Sequence, residues 1–180
     1  MAGVADWPRW ASEAVEIRPA DPGWLRLGEQ LGRELDTALS RWLLAPVEHV
    51  GSTAVPGLPA KPIIDLQAAV VSLDCAPAAA DSLGEGWHLV PPDLDARPWR
   101  RFLVHVVDDV RIAHLHLLTP DSRRWAEQRA FRDILRADPL LLQRYAELKL
   151  DLARRHAHDR EAYSAAKAEF ITSTLRAGAT

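Results

Sequence analysis

Apolar residues recur at helical spacing early in the chain: Trp24, Leu27, Leu31, Leu35, Ala38, Leu39 and Trp42 fall on one stripe. The stripe predicts a core-facing helix over about 22–42. Asp21 suits its N-cap, and Pro22, with its fixed φ, suits the first turn. Pro46 ends that pattern and opens a strand-like run, Pro46 to Val50. A second apolar run, Ile63 to Val71, places Ile63, Asp65 and Gln67 on one face and Ile64, Leu66 and Ala68 on the other. The loop between the runs holds Pro56, Gly57, Pro59 and Pro62, which makes it stiff. Ahead of the helix, Ala14 to Arg18 reads as a short edge strand. Residues 1–12 read as a frayed arm docked by Trp7 and Trp10.

Beyond residue 72 the pattern predicts a short helix over 73–84, a strand from Trp87 to Val90 and a loop from Pro91 to Pro98. Trp99 to Val107 and Val110 to Leu118 are β-rich and meet at Asp108-Asp109, a two-residue hairpin turn. If Val107 pairs with Val110, then His105 faces Ile112, Leu103 faces His114 and Arg101 faces His116. One face would then carry Arg101, His105, His114 and His116, and the other the apolar residues. A one-residue slip would reverse this. From Asp121 onward the periodicity is helical, with segments over about 122–137, from Pro139, and from Asp159. The expected organisation is an α/β core over 1–120 and a helical subdomain over 121–180.

Composition narrows the function classes. For 180 residues one domain is the prior, and 48% apolar content with seven Trp is enough for a sizeable core. A net charge of −3, without a basic tail, argues against nucleic acid and anionic membrane as partners. The single cysteine, Cys75, excludes an intrachain disulfide. No window approaches the roughly 18 apolar residues of a membrane span, and no signal-peptide core opens the chain, so the expected compartment is the cytoplasm. Abundant Arg, Ala and Leu point to a GC-rich bacterial genome. Only three of the 22 basic residues are lysines, namely Lys61, Lys149 and Lys167. A chain that uses Arg elsewhere keeps Lys where a compact ammonium is needed.

The chemistry concentrates around Gly51-Ser52 and Asp65. Glycine lets backbone approach a ligand closely. Ser52 and its neighbours can aim N–H and O–H donors at phosphate oxygens. An acid on the next strand can hold Mg²⁺ against them. A Gly-Ser turn followed by a strand acid resembles the opening of the nucleotidyltransferase site. More closely, His49-Val50-Gly51-Ser52-Thr53-Ala54-Val55-Pro56-Gly57-Leu58 and Ala60-Lys61-Pro62-Ile63-Ile64-Asp65 resemble the signature of the GrpB family. Phe131-Arg132-Asp133, Tyr145-Ala146-Glu147-Leu148-Lys149 and Asp159-Arg160-Glu161-Ala162-Tyr163 with Lys167 and Phe170 resemble that family's helical tail. The resemblance spans about residues 14–176 and implies an α+β, nucleotidyltransferase-like fold: a mixed, mostly antiparallel sheet with packed helices and a C-terminal helical subdomain.

The resemblance implies that fold but no established reaction; the first functional reading of the residues is nucleotidyl transfer from a nucleoside triphosphate to a small-molecule or protein acceptor, with Mg²⁺ or Mn²⁺. Gly51, Ser52 and Thr53 would bind phosphate, helped by Lys61, Arg101, Arg132 and Lys149. Asp65 would hold the metal, with Lys61 neutralising charge and His116 acting as ligand or base. The pattern is incomplete, however. Gln67 stands where a second acid is expected and offers only a neutral amide oxygen. His114 and His116 stand where a third acid would be, on one strand face about 7 Å apart. With Asp65 they approach a two-His, one-carboxylate set, which suits Mn²⁺ or Zn²⁺ better than Mg²⁺. Arg132-Asp133 reads equally well as an internal ion pair. The alternative reading is a phosphate- or nucleotide-binding accessory module that lost its acid set, in some relatives joined to coenzyme A synthesis. Oligomeric state is not legible.

Overall fold

A computed structural model describes residues 16–157 and 159–178. The expected N-terminal arm, with Trp7 and Trp10, lies outside them, as does the start of the expected edge strand. Of that strand, Arg18 bridges Ala60 in antiparallel fashion. The fold is α+β. Its strands are β1 (Glu48–Val50), β2 (Ile64–Ala69), β3 (Trp87–Val90), β4 (Arg101–Val107) and β5 (Val110–Leu118). They form one sheet in the order β1-β2-β5-β4-β3. Only β2 and β5 run parallel, which sets Asp65 opposite His114 and Gln67 opposite His116.

The predicted helix is α1 (Gly23–Ala38), and it ends before Trp42. Asp21 Oδ1 accepts from the Gly23 N–H at 2.7 Å, satisfying one of the orphan donors of the first turn. Trp24, Leu31, Leu35 and Leu39 pack on Ile64, Leu66, Ala68, Leu103, Leu115 and Leu117 to make the main core on one sheet face. The segment after β2 forms a single 3₁₀ turn (Leu73–Cys75) and α2 (Ala76–Asp81). The stretch expected to be loop after β3 contains a four-residue helical turn, α3 (Pro92–Asp95).

The hairpin forms at Asp108-Asp109, both with positive φ, as a tight primed turn requires. Its register begins as expected, with Val107 opposite Val110, but a bulge between His105 and Val106 then shifts it by one residue. His105 faces Ala113, Val104 faces His114 and Phe102 faces His116. The expected polar face is therefore corrected. Arg101 and His105 lie on the opposite face from His114 and His116, where His105 stacks on Trp87 at 4.6 Å. Phe102 and Val104 take the places opposite His116 and His114 that were assigned to Arg101 and Leu103. The shift pairs Leu103 with Leu115 inside the main core, which a straight register would not.

The chain continues in α4 (Arg123–Ala137), α5 (Pro139–Arg155), α6 (Arg160–Ala166) and α7 (Ala168–Ala177), of which α4 packs on the second sheet face through Trp125. The helix expected from Asp159 is thus two, separated at Lys167, with Asp159 capping the first by accepting from Ala162 N at 2.9 Å. Trp125 packs on Ala69 and Leu118, while Leu135 and Tyr145 close over Val55 and Leu58 of the proline-rich loop. Among the described residues no helix is long and apolar enough to cross a membrane.

One buried glycine gives a sharp test of this packing. In a free helix, alanine is worth about 1 kcal/mol more than glycine. At Gly28, however, a Cβ would fall 2.1 Å from Nδ1 of the His49 ring. Overpacking of that kind costs about 1–3 kcal/mol. His49 would also have to leave its 2.9 Å contact with Thr53. Gly28→Ala should therefore lower stability rather than raise it; a gain in urea-unfolding midpoint would contradict this packing.

Candidate functional site

Every residue of β2 is buried except Asp65. The strand lies between two packed layers, so Asp65 is the single point where it meets a cleft. Gly51 sits directly against it, at φ +70°, and a Cβ there would lie 2.6 Å from Asp65 Oδ2. Both the backbone conformation and the close approach require glycine. The 3₁₀ turn Ser52–Ala54 follows and puts Ser52 and Thr53 on the cleft wall.

Two imidazoles meet the carboxylate because β5 runs parallel beside β2. His114 Nδ1 donates to Asp65 Oδ1 at 2.9 Å. His116 Nε2 stands 3.9 Å from the same oxygen, too far for a direct hydrogen bond. Burial alone would raise the Asp65 carboxyl, but the two histidines outweigh it and hold the group well below the usual carboxylate range. Phe102 contacts both rings, at 5.0 and 5.1 Å between centroids. Behind them, Asp95 on α3 clamps Arg100, and Arg100 Nη1 reaches His116 Nδ1 at 2.6 Å. His49, which sequence reading placed just before the Gly-Ser turn, orients it: Thr53 Oγ1 donates to the Ile63 carbonyl, so His49 Nε2 must donate to Thr53. Burial, with some help from Arg136 and Arg132, lowers the His49 pKa to about 4 despite Asp65.

The rest of the cleft comes from the proline-rich loop and the C-terminal helices, which carry the chain's lysines. Lys61, Lys149 and Lys167 all line one cleft of about 340 Å³, together with Ser52, Asp65, His114 and His116. Lys149 is only 1% exposed, and its ammonium donates to the Pro59 carbonyl. Lys61 and Lys167 flank the Tyr163 ring, at 4.9 and 4.3 Å from its centroid. Burial and the neighbouring Lys167 charge lower Lys149 to about 7, against the pull of Asp65. Burial lowers Lys167 to about 8. The cleft therefore holds amines whose protonation changes near neutral pH. The sequence singles out Lys167 only as one of the three scarce lysines, without an assigned role.

The other candidates fall elsewhere. Gln67 is fully buried beneath α4, with Nε2 donating to the Trp125 carbonyl at 3.3 Å. An acid in its place would be pressed against a carbonyl instead of reaching a metal. Arg101 is on the far face, donating to the Arg100 carbonyl; Arg100 takes the position expected of it. Arg132 spends its donors on Asp133, Glu48 and the His49 carbonyl, so its ion-pair reading describes the geometry. Arg100 and Asp95 escaped sequence reading because the bulge moved the register and because Asp95 lies in an apparent loop.

The donor set does not fit a divalent pair. It offers one carboxylate, with one oxygen already taken by His114. Mg²⁺ prefers several hard oxygens. His116 is poorly disposed as a ligand too. Arginine only donates, so His116 Nδ1 is the acceptor and the neutral ring carries its proton on Nε2, the nitrogen facing Asp65. Among the described residues no group of three or more His, Cys, Asp or Glu is disposed to hold an ion.

The family model described as GrpB protein matches residues 14–177. The chain is 36% identical to a UPF0157 protein of Pseudomonas aeruginosa, over 94% of this chain and 71% of that protein. It is 30% identical to the glutamate-rich protein GrpB of Alkalihalophilus pseudofirmus, over 84% and 88%. A dephospho-CoA kinase of Mycolicibacterium paratuberculosis is 30% identical over 92% of this chain but 46% of its own length. Conserved protein GrpB from Enterococcus faecalis superposes with a TM-score of 0.78 at 28% identity, covering 91% of this chain and 96% of the other.

The lysine pKa values set the pH dependence of stability without ligand. Lys149 and Lys167 fold with pKa values of about 7 and 8, below the ordinary 10.5. Between those limits the unfolded chain binds more protons than the folded one, so stability rises with pH. Each proton of difference contributes about 1.4 kcal/mol per pH unit. Urea unfolding should therefore show stability climbing from pH 7 toward 10. A curve flat or falling across that window would mean that the two amines are not buried together.

Proposed function

The chain belongs to the GrpB family, and from that premise we propose that it binds the phosphate chain of a nucleotide in the lysine-lined cleft. One observation carries this reading: all three lysines of the chain, drawn from a loop and from the C-terminal helices, converge on the cleft that also holds the Gly-Ser turn and Asp65. A nucleoside triphosphate carries several negative charges. In a metal-dependent nucleotidyltransferase, divalent ions neutralise many of them. Here three ammonium groups supply that charge, and lysine is suited to phosphate as a point charge. Ser52 and Thr53 line the same cleft. A part-length likeness to a dephospho-CoA kinase is compatible with the accessory form of this reading, at a phosphate-bearing metabolite of coenzyme A synthesis.

Nucleotidyl transfer to a small-molecule or protein acceptor is the second reading. It is favoured by Asp65, a carboxylate kept ionised within contact distance of the Gly51-Ser52 turn. Pyrophosphate release from ATP in the presence of hydroxyl and amine acceptors, abolished by Asp65→Asn, would support it.

Calorimetry with pyrophosphate and ATP tests the binding reading. Both should bind without divalent metal. Lys149→Met and Lys167→Met should each weaken binding by roughly 10- to 100-fold, the usual range for a lost charge-assisted contact. Because the anion favours the ammonium forms, affinity should fall as pH rises through about 7 and 8, where Lys149 and Lys167 titrate. Buffers of different ionisation heat should reveal proton uptake in that range. Affinity indifferent to both lysines and to pH would refute the proposal.

A further inference from the structure

We infer that Asp95 and Arg100 are positioning residues that lock His116 as an Nε2–H donor, and that this N–H serves a ligand oxyanion directly. The inference begins with what a guanidinium can do: all its polar hydrogens donate and none of its nitrogens accepts. Arg100 Nη1 lies 2.6 Å from His116 Nδ1. Nδ1 must therefore present its lone pair, and the proton of the neutral ring must sit on Nε2. The lock is rigid. Arg100 is about nine-tenths buried, and Asp95, itself buried, holds it at two points, Nε to Oδ2 at 2.8 Å and Nη2 to Oδ1 at 2.5 Å. Phe102 covers the guanidinium at 4.1 Å.

Among the described residues the locked N–H makes no hydrogen bond: Asp65 Oδ1 is 3.9 Å away and is already bonded by His114. His116 lines the same cleft as the three lysines, so an oxyanion there meets both the ammonium groups and this N–H. Burial, with the Arg100 charge adding to it, lowers the ring's pKa to about 4 against the pull of Asp65. The ring therefore stays neutral, and the tautomer alone decides whether it donates or accepts. A base role for His116 would need the opposite tautomer, which places two donors against each other at Arg100.

The ligand half of this inference rests on the phosphate reading of the cleft; the tautomer half does not. Nitrogen-15 correlation spectra of the imidazoles in the full chain test the lock directly. His116 should show a protonated, pyrrole-type Nε2 and an unprotonated Nδ1. Arg100→Met should release it to a tautomer mixture, and Arg100→Lys, whose ammonium also only donates, should restore it. Because Arg100→Met strands a buried carboxylate, the Asp95→Asn/Arg100→Met double variant provides the same test without that charge. A protonated Nδ1 in the wild type, or an unchanged tautomer in both Met variants, would overturn the lock. Pyrophosphate titration supplies the second arm: the Met variants should bind about tenfold more weakly, and Arg100→Lys close to wild type. Released tautomers with undiminished pyrophosphate affinity would overturn the donor role alone. A wild type that keeps the lock but binds no pyrophosphate would overturn the phosphate reading and leave the lock standing.

Discussion

An ionised carboxylate only partly open to water needs donors around it, and β2 places one at Asp65, whose side chain is one-third exposed. Most of the site's architecture follows from meeting that need. The parallel pairing with β5 delivers two imidazoles to the same sheet face. Gly51 omits the side chain that would collide with the carboxylate. The proline-rich loop and the helices bring the lysine charges that face it. The result is a cleft whose polarity is cationic on the helical side and hydrogen-bonding on the sheet side, with one fixed anion between them.

This arrangement departs from metal-dependent phosphoryl chemistry in a physically consistent way. With Gln67 in place of a second acid, the position is turned inward and used to satisfy a helix carbonyl. That amide is therefore not available to coordinate an ion. The chain concentrates its scarce lysines in the cleft and uses arginine for fixed internal pairs, such as those of Arg100 with Asp95 and Arg132 with Glu48 and Asp133. The division follows the two side chains' properties: a planar fork suits permanent pairing, and a compact amine suits a reversible partner.

Much of the fold was legible because it rests on short-range rules. The apolar stripe from Trp24 to Leu39, the Gly-Ser turn between two runs and the Asp108-Asp109 hairpin each follow from local periodicity or turn chemistry. Of the candidate residues, Ser52, Asp65, His116, Lys61 and Lys149 line one cleft, and residue type and scarcity are what mark them in the sequence. The site was illegible where a single inserted residue decides the outcome. Alternation assigned Arg101 and His105 to the polar face, and the bulge beside His105 reversed them. No pattern in β4 or β5 marks that bulge, since both faces of the hairpin carry apolar residues. The Asp95–Arg100–His116 chain depends on the same displacement and on a helical turn too short to leave a periodic signal.

The order of strands also has a temporal side. β1 and β2 are near neighbours along the chain, but β5, which supplies both imidazoles, is separated from β2 by two intervening strands, and His114 stands 49 positions beyond Asp65. Lys149 lies 90 positions from the carbonyl it contacts. Contacts of such separation form only after the loop entropy between them has been overcome, so they come late in folding. During synthesis Asp65 emerges first and remains an ordinary hydrated acid. Its counterparts arrive with the hairpin and then with the last helices, and only their docking converts a surface charge into the centre of a cleft. A ribosome-bound chain truncated before α5 thus has the acid and its turn but only one of the three amines, and the cleft is complete only with the C-terminal helices.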